Sequence, residues 1–348
     1  MTELRKQTAV VICPGRGTYN KAELGYLSKY HADKAEFIGQ IDRYRQEQQQ
    51  KTLSELDQAP AFRASQHTTG DNASMLIYAC AVADFQSINR DKFEIVAVTG
   101  NSMGWYLALA CAESLSPSAA THLVNSMGTM MHRQADGGQV VYPLVNEEWQ
   151  PDPELQAGYD AALASVKQEP GAEVYTSIHL GGMAILAAND QGVKHLLKSL
   201  PPVQDRYPFA LPNHGAFHSP LMSEIAVQAR QLLPASLFDT PKLPLVDGRG
   251  HIWQPYATDL TTLHHYTLGH QIDCTYDYSA AIEVALKEFA PDALIILGPG
   301  ATLGGPTAQC LLQHRWFDLS SKQDFKQRQQ NNPVILSMGI EEQRSLVM

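Results

Sequence analysis

The stretch FEIVAVTGNSMGWYLALAC (93–111) constrains the fold of this chain more than any other. Apolar and β-branched residues run up to Thr99, the turn Gly100-Asn101-Ser102-Met103-Gly104 follows, and helix-prone sequence continues from it. A G-x-S-x-G pattern between a strand and a helix pushes its serine out of the sheet on a sharp turn. Small residues two places to either side let that turn close. The competing reading is an ordinary strand–turn–helix link in which Ser102 caps the helix, and the pattern alone does not separate the two.

The neighbouring segments supply the sheet that such a turn needs. TAVVICPG reads as a short buried strand ending at Pro14-Gly15, polar helix-prone sequence follows, and DNASMLIYACAVADFQSIN carries apolar residues at helical spacing. Strand, helices, strand, helix is the order of an α/β layer with a parallel sheet. From the turn signal RQADGG onward the pattern changes. GQVVYPLV and GGMAILAAN are strand-like, while PELQAGYDAALASVKQE and DQGVKHLLKSL are helix-like, which predicts a small inserted α+β unit. The helical PLMSEIAVQARQLLPASL, the strand in LPLVDGRG, the helix SAAIEVALKEFAP and the strand ALIILGPG then return to the α/β layer. The division is a large α/β domain of 1–133 and 208–348 with a smaller unit at 134–207. SSKQDFKQRQQNNP reads as a solvated segment without chemistry.

Composition excludes several function classes. A net charge of −10 repels phosphate backbones and anionic lipid, so nucleic acid and membrane are not expected partners. No apolar run reaches membrane-spanning length, and MTELRKQTAVVICPG begins a strand at once, so neither a signal peptide nor a membrane anchor is expected and the cytoplasm is the expected compartment. Cys13, Cys80, Cys111, Cys274 and Cys310 form no C-x-x-C pair, and LHHYTLGH lacks the spacing of a zinc site; the reading is buried thiols and no metal.

If Ser102 is a nucleophile it needs a base, and histidine is the usual one because it titrates near neutral pH. LPNHGAFHSPLM places His214 and His218 in a loop that enters a helix. Some 130 residues, a strand and two helices among them, still follow His218, an arrangement that fits the usual late-histidine plan of α/β-hydrolases poorly.

Four segments together, VICPGRGTY, GNSMGWYLAL, AFHSPLM and LIILGPGATLGG, resemble the landmark segments of malonyl-CoA:acyl-carrier-protein transacylases and the acyltransferase domains of polyketide synthases, in order and spacing over residues 8 to about 310. The resemblance implies an α/β-hydrolase-like large domain with a parallel sheet and an inserted ferredoxin-like subdomain. It implies Ser102 as acyl-accepting nucleophile and His218 as general base, the imidazole being oriented by a backbone carbonyl among residues 271–275. It implies an oxyanion hole formed by the N–H groups of Met103 and Arg16. Acyl-CoA and a phosphopantetheine thiol would be substrates, an acyl carrier protein the partner, and no cofactor would be bound.

Departures from the family pattern carry as much information. Asn101 stands where the family has histidine, and Arg16 where it has glutamine. Met127 occupies the position, 25 residues after the nucleophile, of the arginine that clamps the malonyl carboxylate. A thioether cannot neutralise a buried carboxylate, and an unpaired buried charge costs several kcal/mol. With Met127, Phe217 and Asn101 as expected acyl-pocket residues, and Phe217 crowding any α-branch, the expected acyl group is uncharged and unbranched. The Met127, Met130 and Met131 group suits an adaptable apolar pocket or plain core filling. Arg16 or Arg133 acting as substitute cation would restore malonyl. His214 receives no role from the resemblance and reads as a neighbouring or surface residue. The glycines of ILGPGATLGG read as structural, because no phosphate-loop lysine follows them. Two further readings use the same chain differently: an acyl-carrier-protein hydrolase that discharges the acyl-serine to water, and a non-catalytic scaffold that binds a carrier protein.

Overall fold

The computed structural model describes residues 5–348. Gln7–Cys13 forms β1, whose last five residues are all buried, as a strand covered on both faces requires. Phe93–Gly100 (β2) lies parallel to it on one side, and Ala293–Ile296 (β10) lies parallel on the other. Between them in sequence come Gly138–Pro143 (β3), Val174–Leu180 (β4), Met183–Ala188 (β5), Phe209–Ala210 (β6), Leu245–Val246 (β7), Ile252–Trp253 (β8) and Tyr276–Asp277 (β9); Ile335–Ser337 (β11) comes last.

The first sheet has the order β11-β10-β1-β2-β7-β8. Its strands are parallel except β8, which runs antiparallel to β7. The chain leaves β1 in both directions across the sheet, so the loops after β1, β2 and β10 open at the same carboxyl edge. That is where open α/β sheets place their ligands. The helix Gly70–Ser87 has 15 buried residues of 18 and packs against the helix Pro117–Gln134. Burial on nearly all sides explains why its sequence carries so few charges.

The second sheet has the order β6-β3-β5-β4-β9, antiparallel except for the β4–β9 pair. Alternation along its strands gives it two apolar faces. Val140, Tyr142, Leu186 and Ala188 join Tyr159, Val166 and Leu196 of the helices Pro153–Gln168 and Asp190–Ser199 in a core of their own. Val141, Ile178 and Ile185 face the other way, toward the first sheet's carboxyl edge.

Three strands of this sheet, β4, β6 and the two-residue β9, escape the sequence pattern. In β4 the pairing shifts register between Thr176 and Ile178, so the apolar alternation breaks mid-strand. In β6 only two residues pair. Both β6 and β9 lie outside 134–207, so the sheet draws strands from beyond that interval. The polar 320–333 stretch contains a helix, Lys322–Asn331, with no buried residue. Four of the five cysteines are buried and Cys274 is half-buried; all are free. Among the described residues no helix is long and apolar enough to cross a membrane, and no cluster of three or more His, Cys, Asp or Glu side chains is assembled.

Candidate active site

The turn after β2 is closed by glycines that leave no room for a side chain. A Cβ on Gly100 would come within 2.3 Å of the Gly104 carbonyl oxygen, and one on Gly104 within 2.3 Å of the Cys13 oxygen at the end of β1. The loop after β1 is tied to the same turn, since a Cβ on Gly15 would lie 2.7 Å from the Asn101 oxygen. Ser102 therefore sits at φ +56°. Left-handed backbone costs a non-glycine residue roughly 1–2 kcal/mol and persists only where the surroundings hold it. Here the Asn101 N–H donates to the Cys13 carbonyl (3.1 Å), the Gly104 N–H to the Asn101 carbonyl (2.8 Å), the Tyr276 hydroxyl to the Gly100 carbonyl (2.6 Å) and the Gln271 amide to the Ser102 carbonyl (3.0 Å).

His218 comes from the loop after β6 and also has a positive φ, +55°. Its N–H donates to the Ile272 carbonyl at 3.1 Å, and the Ser177 hydroxyl donates to the preceding carbonyl, that of Phe217, at 2.7 Å. The ring meets Ser102 Oγ through Nε2 at 2.7 Å and the Gln271 carbonyl through Nδ1 at 2.7 Å. A carbonyl only accepts, so Nδ1 carries the proton and Nε2 is left as the acceptor of the serine hydroxyl. Burial lowers the His218 pKa to about 4, partly opposed by the bond to Gln271. The imidazole is neutral at pH 7, as a base must be before the reaction.

This gives a pH dependence with a definite sign. Acyl loading of Ser102 is expected to be level from about pH 5 through neutrality and to fall as the pH drops through about 4, where His218 takes up a proton. Quenched-flow loading rates across this range test it; a midpoint near the ordinary histidine value of about 6.5 would contradict it.

Neither the Arg16 nor the Met103 N–H has a protein acceptor in the hydrogen bonds of the described residues, so both remain free at the edge of the site. They belong to the two loops that flank Ser102, as an oxyanion hole requires. The site opens into two spaces. An inner cavity of about 40 Å³ is lined by Tyr106, Val124, Met127, Met131 and Phe217, with Ser74 at its side. An outer cleft of about 440 Å³ is walled by Val141, Ile178 and Ile185 of the second sheet and by Thr302, Leu303 and Pro306 of the loop after β10. Arg16, Ser102 and Phe217 border both.

The expected site residues distribute unequally. Met127 and Phe217 line the inner cavity, whereas Asn101 lines the outer cleft, away from the acyl pocket assigned to it. Met131 joins Met127 at the cavity, and Met130 is buried in the core beside them. Arg133 is exposed near the end of its helix and borders neither space, which removes it as a substitute cation. Arg16 lines the inner cavity as well as the outer cleft. Its guanidinium lies over the Phe217 ring, 5.5 Å from the centroid, and burial lowers its pKa to about 10, so it is charged at pH 7. His214 lines the outer cleft beside it, with its pKa lowered to about 3 by burial and then by the Arg16 charge.

Sequence reasoning missed Gln271 as a side chain. Its carbonyl orients His218, its amide donates to the Ser102 carbonyl, and its Oε1 accepts from the Tyr106 hydroxyl at 2.8 Å. No motif marks it, because its partners are 53 to 169 residues distant. Gln271→Ala keeps the carbonyl and removes the two side-chain bonds. Loading kcat is expected to fall roughly 10- to 100-fold by misplacing the nucleophile, with the pH midpoint unmoved. A shifted midpoint would mean that the histidine, and not the serine, had been disturbed.

Neither a protein-family model nor a curated protein sequence matches the chain. Solved structures do. Malonyl-CoA:ACP transacylase from Synechocystis sp. PCC 6803 superposes with a TM-score of 0.73 at 18% identity, covering 98% of this chain and 99% of that one. An acyl carrier protein S-malonyltransferase from Vibrio cholerae gives 0.69 at 20% identity, covering 88% and 94%. A malonyl-transacylase in complex with its type II polyketide synthase acyl-carrier protein gives 0.67 at 19% identity, covering 88% and 93%. At such identities the likeness speaks for the fold, and on that ground this chain has the fold of the malonyl-CoA:acyl-carrier-protein transacylases.

Proposed function

We propose that this chain is an acyltransferase that moves an acyl group from coenzyme A to the phosphopantetheine thiol of an acyl carrier protein through an ester on Ser102. The observation that carries the reading is the relay of Ser102 Oγ, His218 Nε2, His218 Nδ1 and the Gln271 carbonyl, 2.7 Å at each link, at the junction of a small cavity and a wide cleft. As Ser102 Oγ attacks the thioester carbonyl carbon, its proton passes to His218 Nε2 and the carbonyl π electrons move to oxygen. The Arg16 and Met103 N–H groups meet that oxyanion; two preorganised donors shielded from water are worth several kcal/mol. Collapse re-forms the carbonyl and breaks the C–S bond, and His218 returns the proton to the departing thiolate. In the second half the carrier thiol gives its proton to Nε2 and attacks the ester; the C–O bond breaks and Ser102 regains its hydrogen.

The cleft of about 440 Å³ suits a flexible pantetheine arm, whereas the inner cavity of about 40 Å³ suits a short acyl group. A cavity needs roughly 10–15 Å³ in this measure to hold one water, so only a few heavy atoms enter it. Solved structures of this fold include one in complex with an acyl-carrier protein, which supports the choice of acceptor. With the chain at −10, the small acidic partner must be met by a local cationic patch; Arg206 at the cleft is one contributor. Both substrates are cytoplasmic molecules, and the cytoplasm is the proposed location.

Intact mass measurement tests the reading. After incubation with short-chain acyl-CoAs, an adduct on Ser102 that passes to a phosphopantetheinylated carrier protein is the expected result. An adduct lost only to water would make the chain a hydrolase, and carrier binding without any adduct would make it a scaffold; either overturns the proposal.

A further inference from the structure

The segment from Gln271 to Tyr276 touches both Ser102 and His218. At its start the Gln271 carbonyl accepts from His218 Nδ1, and the Ile272 carbonyl accepts from the His218 backbone N–H. Its side chains grip the serine turn. The Gln271 amide donates to the Ser102 carbonyl at 3.0 Å, and the Tyr276 hydroxyl donates to the Gly100 carbonyl at 2.6 Å. Between those two carbonyls lies the peptide bond that leads into the nucleophile. The Tyr276 ring also lies 5.4 Å from the His218 ring, within the range of aromatic contact. Burial, and then the field of Asp247, holds the Tyr276 phenol well above its usual pKa, so the hydroxyl keeps the proton that it donates. The ring is seated on backbone: a Cβ on Gly248 would lie 2.5 Å from two of its carbons, and the Asp277 N–H ties the next residue to the Gly248 carbonyl at 2.7 Å. Tyr276 opens β9, where it pairs with Ile178 of β4, and the Thr275 hydroxyl donates to the Thr176 carbonyl of that strand at 2.7 Å. One side chain thus reaches from the second sheet to the turn that carries the nucleophile.

We infer that Tyr276 is a positioning residue of this site, which keeps the Ser102 turn in register with the imidazole, its hydroxyl acting on the Gly100 carbonyl and its ring lying against His218. The inference rests on Ser102 being the nucleophile proposed above. Ser102 is held at φ +56°, a conformation that persists only under restraint. Without the phenol hydroxyl the buried Gly100 carbonyl loses a partner, and the turn relaxes while His218 stays anchored on Gln271. The 2.7 Å approach of Oγ to Nε2 then lengthens, which slows attack by the serine. Tyr276 lines neither the inner cavity nor the outer cleft, so substrate binding is expected to stay as it is.

The test compares Tyr276→Phe with Tyr278→Phe. Tyr278 is equally buried, and its hydroxyl shares a 2.6 Å hydrogen bond with the Thr307 hydroxyl, away from the serine turn. Two rates are followed by intact mass: loading from acetyl-CoA and malonyl-CoA, and phosphonylation by an alkyl fluorophosphonate, which needs no coenzyme A site. In the latter the Ser102 Oγ–P bond forms, the P–F bond breaks, fluoride departs and the hydroxyl proton passes to His218 Nε2. Tyr276→Phe is expected to lower the phosphonylation rate and the loading kcat by about 10-fold each with KM unchanged, and Tyr278→Phe to change neither. Unaltered rates in a folded Tyr276→Phe overturn the inference. Equal losses in the two variants overturn it in favour of a general effect on stability, and a raised KM with kcat unchanged overturns it in favour of a role in substrate binding. Should Tyr276→Phe fail to fold, Gly248→Ala decides, because it keeps the hydroxyl and displaces the ring: slower phosphonylation supports the inference and an unchanged rate overturns it. Phosphonylation of Ser102 without loading from any acyl-CoA sinks the acyltransferase reading and leaves the role of Tyr276 standing; an unaltered protein that reacts with neither reagent sinks both.

Discussion

Ser102→Ala is expected to remove the acyl-enzyme altogether and to lower transfer to a carrier protein by roughly 10⁴-fold or more, leaving the melting temperature essentially unchanged. The hydroxyl is the atom that His218 addresses, at 2.7 Å, and nothing else within the relay has a nucleophilic oxygen. Alanine accepts the φ of +56° as readily as serine does, so the turn keeps its shape and the N–H donors at Arg16 and Met103 stay in place. Any residual turnover would then measure what oxyanion stabilisation and binding accomplish without covalent catalysis. Transfer by this variant at the unaltered rate, followed by carrier-protein mass, would remove Ser102 from the chemistry and the proposed function with it.

Gly104→Ala has the second large effect, and it strikes the frame that presents the serine. A methyl group there would sit 2.3 Å from the Cys13 carbonyl oxygen and 3.0 Å from that of Pro14, both backbone atoms that cannot rotate aside. The turn after β2 and the end of β1 must separate, which opens the geometry of Ser102 and both oxyanion donors together. A loss of about 3 kcal/mol or more is expected, at the upper end for overpacking, along with nearly complete loss of loading. Gly39 provides the control. It lies in the helix Ala35–Glu47 and a Cβ there meets nothing within 4 Å, so Gly39→Ala is expected to stabilise by up to about 1 kcal/mol. Thermal melts of the pair separate steric conflict from the general effect of replacing glycine; equal melting temperatures would refute the account of the turn.

Much of the scaffold was legible because burial leaves a direct trace in composition. The continuous apolar runs of β1, β2 and β10 mark strands covered on both faces, and the helix Gly70–Ser87, whose only charged residues are Asp71 and Asp84, marks an element with almost no solvent side. The strands that were missed, β4, β6, β8, β9 and β11, are those where a register shift or a length of two or three residues erases periodicity. The turn that carries Ser102 was legible for a related reason. Ser102 lies on a turn that only small neighbours permit, and those neighbours are adjacent in sequence.

The chemistry of the acyl pocket was not legible in the same way. Met127 suggested a cavity without a cation, and only the structure shows that Arg16, from the loop after β1, lines the same cavity. Asn101, next to the nucleophile in sequence, points to the outer cleft, whereas Gln271, far away in sequence, holds both members of the pair. By itself the sequence determined the buried strands β1, β2 and β10 and the glycine turn that carries Ser102, because each depends on local geometry and on burial; His218 was chosen over His214 only through the family resemblance. Tertiary structure decided the carbonyl that aims the imidazole, the residues that line the cavity beside Ser102 and the size of that space. Those depend on side-chain directions from segments up to about 200 residues apart, and no local pattern records such directions.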